Sequence, residues 1–97
     1  MTTILHDYDV AMHLRTPEEM AAYLEAAIEE SDGDAAFIAR ALGDIARAKG
    51  MAELARETGL GRESLYKALS AEGNPQLSTV LKVAKALGLQ LHVKPAA

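Results

Sequence analysis

Apolar residues recur along most of this chain at the three-and-four spacing of helices that face a core. The first clear run is Met20, Tyr23, Leu24, Ala27 and Ile28. Ahead of it stands Thr16-Pro17-Glu18-Glu19. Thr16 can cap, Pro17 suits the first helical position, and Glu19 can close a capping box while its charge favours the positive end of the helix dipole. A helix is predicted from Pro17 to near Glu30, broken by Ser31-Asp32-Gly33. Asp34 then caps a second helix, Ala35 to Lys49, with Ile38, Ala41, Leu42, Ile45 and Ala48 on one face and Gly50 at its end. The triplets Ile38-Ala39-Arg40 and Ile45-Ala46-Arg47 read as two turns of that face rather than an internal repeat. Near the C-terminus, Leu77, Val80, Leu81, Ala84 and Leu87 predict an inward stripe, with Lys82 and Lys85 outward and Gly88 as the stop.

Both ends carry weaker patterns. Asp7 can cap a short helix, Tyr8 to Leu14, although Val10, Met12 and Leu14 also suit a strand. Leu89-Gln90-Leu91-His92-Val93 alternates apolar and polar, which predicts a short strand closed by Pro95. A lone strand needs a partner for its backbone: a second copy, another protein or the N-terminal segment. A tail packed on the last helix is the plainer alternative.

The middle of the chain, Ala52 to Leu69, predicts a helix, a sharp turn and a second helix. Leu54 and Ala55 face inward. Gly59 stands where the chain must reverse, and glycine takes the positive φ of such a corner at little cost. Leu60 covers the turn, and Leu65 and Leu69 form the buried stripe of the second helix. Ala55, Gly59 and Leu65 are spaced as in a helix-turn-helix: a small residue for close approach, a corner, and a pin into the core. Arg62, Glu63, Ser64, Tyr66 and Lys67 are left on the free face, which is the geometry that fits a DNA major groove. A plain αα-corner in a helical bundle would show the same three residues.

Charge changes the picture. The chain of 97 residues carries a net −4, which by itself argues against a DNA binder. Residues 1–39, however, hold nine acids and one base, a balance of −8, while residues 40–97 hold nine bases and five acids, a balance of +4. The basic part, with Arg40, Arg47, Lys49, Arg56, Arg62 and Lys67, suits phosphate. The acidic part would face away from DNA, as a solubilising surface or as a surface for a basic partner. Asp44, in the basic helix, can pair with Arg47 or Lys49.

Composition limits the rest. Apolar residues make up 49% of the chain, yet aromatics only 4%, so the core must be built from Leu, Ile, Val, Ala and Met. There is no cysteine, which excludes a disulfide framework and thiolate metal sites. No apolar run approaches the roughly 20 residues of a membrane span, and no basic start followed by an apolar stretch marks a secretory signal. A soluble, cytoplasmic protein without membrane contact is expected. His6, His13 and His92 are scattered, Ser64 and Ser70 have no base nearby in sequence, and Gly59-Leu60-Gly61 lacks the pattern of a phosphate loop. No catalytic constellation, metal site or cofactor is expected, so the chain is not read as an enzyme.

Longer runs carry a family resemblance. They are Arg15-Thr16-Pro17-Glu18-Glu19 with Tyr23-Leu24-Glu25-Ala26-Ala27; Ala41-Leu42-Gly43-Asp44-Ile45-Ala46-Arg47-Ala48; Arg62-Glu63-Ser64-Leu65-Tyr66-Lys67-Ala68-Leu69-Ser70; and Gly73-Asn74-Pro75 with Ala86-Leu87-Gly88-Leu89. From about Leu5 onward the chain resembles the addiction-module antidote proteins of bacterial toxin–antitoxin operons. These are small Xre-type, HigA-like antitoxins with an added N-terminal helical segment. The resemblance implies an all-α, λ-repressor-like helix-turn-helix fold, autorepression of the operon and neutralisation of a RelE/HigB-like toxin. It divides the chain into a helical extension, residues 1–33, and a DNA-binding domain with a short C-terminal strand, residues 34–97. Two positions depart from the wider Xre pattern. Met51 replaces a Gln that touches phosphate. Gly61 replaces a capping Ser, at a cost of a few tenths of a kcal/mol.

The expected sites follow from these readings. Arg62, Glu63, Ser64, Tyr66 and Lys67, with Arg56 beside them, would meet double-stranded operator DNA. Tyr8, Met12 and Tyr23 would anchor the toxin. Leu89, Leu91 and Val93 would join two copies into a homodimer. The competing readings are a stand-alone Xre-type regulator and a protein-binding module whose helix-turn-helix is only structural.

Overall fold

The structure, a computed structural model, describes residues 14–96. Five helices follow one another: α1 (Pro17–Ser31), α2 (Ala35–Lys49), α3 (Met51–Thr58), α4 (Arg62–Ala68) and α5 (Leu77–Ala86). The described residues are all-helical, as expected. The expected helix Tyr8 to Leu14 lies outside them up to His13, together with the proposed anchors Tyr8 and Met12. Leu14 is described and is buried, outside any helix.

Local chemistry sets the first two helices. The Thr16 hydroxyl accepts the Glu19 N–H at 3.1 Å, and the Glu19 carboxylate accepts the N–H groups of Arg15 at 2.8 Å and Thr16 at 3.1 Å. The reciprocal capping box is complete. Those bonds, the Arg15 N–H foremost, hold the Glu19 carboxyl below its usual pKa. At the head of α2 the Asp34 carboxylate accepts the Phe37 N–H at 2.9 Å.

One apolar cluster joins all five helices. Met20 of α1, Leu42, Ile45 and Ala46 of α2, Met51 and Leu54 of α3, Leu65 of α4 and Val83 of α5 belong to it, together with Leu14, Leu69 and Leu87. No polar or charged side chain is buried among the described residues. α1 packs along α2, and α3 packs against α2, α4 and α5. The N-terminal helix thus shares its core with the rest.

One expected stripe is broader than the spacing predicts and another is rotated. On α2, Ala39, Gly43 and Ala46 are buried alongside Leu42 and Ile45, because the helix is covered from two sides. On α5, Val83 is fully buried, whereas Leu77 and Leu81, expected inside, are 70% and 46% exposed. Leu77 opens the helix beyond the edge of the core, and the arc that meets the core runs through Val80, Val83, Ala84 and Leu87. Ile28 of α1 is likewise exposed.

The expected C-terminal strand is absent. After α5 the chain turns at Gly88, and the Leu89 N–H donates to the Ala84 carbonyl at 2.8 Å. Leu89 then packs against the core. From Gln90 onward no backbone hydrogen bond joins the tail to another described residue. Alternation in sequence supplies the faces of a strand, but only a neighbour supplies its ladder.

Candidate nucleic-acid interface

The α3–turn–α4 unit is built from a few contacts. Leu54 and Leu65 are buried at 0% and 1% exposure and tie both helices to the core. Gly59 ends α3 with φ 76°, and its N–H donates to the Ala55 carbonyl. The Thr58 hydroxyl donates to the Leu54 carbonyl at 2.8 Å and accepts the Leu60 N–H at 3.3 Å, closing the corner. Leu60 and Ala55 pack on the core as expected. Gly59 makes the corner and Leu65 enters the core, as expected.

α4 turns its polar face outward. Arg62, Glu63, Ser64, Tyr66 and Lys67 are all exposed on this one short helix, and Arg56 is exposed on α3. Arg56, Arg62 and Lys67 make no ion pair among the described residues. The two ion pairs found there are Arg47–Asp44 at 2.7 Å and Lys49–Glu57 at 3.7 Å. Gly61 stands at the head of α4 and provides no side-chain cap. Met51 is buried at 4% exposure and belongs to the core rather than to a phosphate-facing surface.

A feature missed in the sequence supports α4 from behind. A methyl group built on Gly43 would overlap the Leu69 carbonyl oxygen, so α2 and the end of α4 lie closer than any side chain permits. An isolated glycine inside a strong helical pattern was the available signal.

The other expected sites are dispersed. Tyr23, half-buried on α1, donates its hydroxyl to Asp44 Oδ2 at 2.7 Å, and Arg47 donates to Oδ1 of the same carboxylate at 2.7 Å. Burial first, and the Asp44 hydrogen bond second, push the Tyr23 pKa up to about 12. Leu89 is drawn into the core, while Leu91 and Val93 are 55% and 93% exposed. The described residues hold no cluster of groups able to bind a metal ion and no helix long and apolar enough to cross a membrane.

Residues 4–95 match the model of a family described as probable addiction module antidote protein. The chain belongs to that family. A relative from Haemophilus influenzae (strain ATCC 51907 / DSM 11121 / KW20 / Rd), described as an uncharacterized protein, is 51% identical over 94 residues. The alignment covers 97% of this antidote-family chain and 95% of the relative. No solved structure matches. An antidote implies a toxin, so membership points to a toxin partner of some kind.

Proposed function

We propose that this antidote-family chain is the antitoxin of a type II toxin–antitoxin module, one that neutralises a RelE/HigB-like toxin and represses its own operon by binding operator DNA as a dimer. The observation that carries the DNA part is the exposed face of α4. Arg62 and Lys67 lie on it with no ion-pair partner among the described residues, and the helix is fixed from behind by Leu65 and Gly43. Such a helix presents guanidinium and ammonium groups to base edges and phosphates, and the λ-repressor-like arrangement reads two half-sites about one helical turn apart.

The test is fluorescence anisotropy of a labelled duplex from the promoter region upstream of this chain's gene. Arg62→Ala should weaken binding by about 1–3 kcal/mol, as expected for a bidentate base contact. Lys67→Ala should weaken binding evenly across sequences and reduce the salt slope by about 1. Unchanged affinity in both variants would leave a protein-binding module whose α3–turn–α4 unit is only structural.

A further inference from the structure

A concave, largely apolar surface lies open between α1, α5 and the C-terminal tail, with a volume of about 500 Å³. Its floor is Ala21, Ala22 and Leu24 of α1, Val80 and Ala84 of α5, and Leu89 of the tail. Alanine is too short to fill the space between the elements, so the gap persists. Glu18 and Glu25, seven residues apart and so two turns along the same side of α1, stand on its rim. No Lys or Arg lines it, and His92 is its one other titratable group. The bias extends beyond the rim, since α1 carries five glutamates and no base.

These features select the kind of ligand. Small-molecule sites rely on a few precisely placed polar groups within an apolar cavity. Here the polar lining is Glu18, Glu25, Gln90 and His92, set around the apolar floor, and its two carboxylates lie on one side of α1. An apolar floor with acids spaced along one side of α1 fits an amphipathic segment, with apolar anchors at helical spacing and basic residues beside them. None of Arg56, Arg62 or Lys67 lines the groove, so it is separate from the α4 face.

We propose that the groove is where the antitoxin grips its toxin, taking a basic amphipathic segment of that partner. Apolar side chains of the segment lie on the alanine floor, and its Lys or Arg residues meet Glu18 and Glu25. The proposal rests on the antitoxin reading and names the surface that performs it.

The experiment uses the full chain, with the small protein encoded beside its gene as the probe. Affinity is measured by titration, association by stopped flow, and helicity and mass by circular dichroism and light scattering. Ala22→Trp fills the groove from an exposed helical position and should weaken binding by about 100-fold, the scale of an interface hot spot. The double variant Glu18→Lys, Glu25→Lys leaves the floor intact and should slow association about tenfold at low salt, with the difference shrinking as salt rises. Phe37→Ala, an exposed aromatic outside the groove, should bind as the wild type does. If the wild type binds the probe and both groove variants bind equally well, the groove proposal is overturned and the antitoxin reading stands. If the wild type does not bind, the antitoxin reading fails and takes the groove with it. If Ala22→Trp turns a dimer into a monomer yet binds the probe fully, the groove belongs to a second copy and the proposal is wrong.

Discussion

Gly43 and Gly59 show two different reasons for a glycine. Gly59 has φ 76° and open space where a Cβ would go, so an added methyl meets strain in the backbone alone. Gly59→Ala should cost about 1–2 kcal/mol. Gly43 has an ordinary helical backbone but no room. Gly43→Ala gains about 1 kcal/mol of helix propensity and forces the Leu69 carbonyl to move. A net loss of about 1–3 kcal/mol is expected, which thermal unfolding should register as a fall in Tm of several degrees. A Tm at or above the wild type would mean that the end of α4 yields freely. Tyr23 gives a prediction in pH. Its pKa is raised to about 12 from an ordinary 10.0. The unfolded chain thus loses the phenolic proton first. Stability is unaffected by this group below about pH 10 and falls as pH rises toward about 12. Tm measured across that range should slope downward in the wild type, and more shallowly in Tyr23→Phe.

At the scale of the helix, the start of α1 was legible because its signals are local. Thr16, Pro17 and Glu19 make their capping contacts within one turn, and sequence neighbours fully determine them. Thr16→Ala should cost about 1 kcal/mol, seen as a lower midpoint in urea with an unchanged slope. The rotated stripe of α5 was not legible. Leu77 and Leu81 have the spacing of buried residues, but which arc of a helix is covered depends on where its neighbours end. Val83 could have been inside on spacing alone, and the position of α3 decides that it is. The shared core carries a further prediction. A chain beginning at Asp34 loses Leu14 and Met20, both buried in that core. Removing a large buried side chain costs about 2–5 kcal/mol, so losing two approaches the 5–15 kcal/mol of a whole domain. The truncated chain should show a broad, low-temperature transition by circular dichroism. A sharp transition at the wild-type temperature would make residues 34–97 an independent unit.

Across the whole molecule, the sequence shows charge as a sum, while packing decides which surfaces carry it. The basic α4 face needs only its own few residues to be recognised. The acidic groove needs α1 together with α5 and its tail, which lie dozens of residues further along the chain, and no periodicity in any of them marks a cavity. The alternation at Leu89 to Val93 misled for a related reason: it describes two faces and says nothing about whether a neighbour exists. The order of packing has one more consequence. Because α1 packs on α2, α2 on α3 and α3 on α4, most contacts join helices adjacent in sequence. Chains of that topology close small loops and reach their native state in microseconds to milliseconds. Synthesis at about 5–20 residues per second is slower by orders of magnitude. The supply of working protein therefore follows the ribosome rather than the folding reaction, and any change in translation is felt by its partners at once.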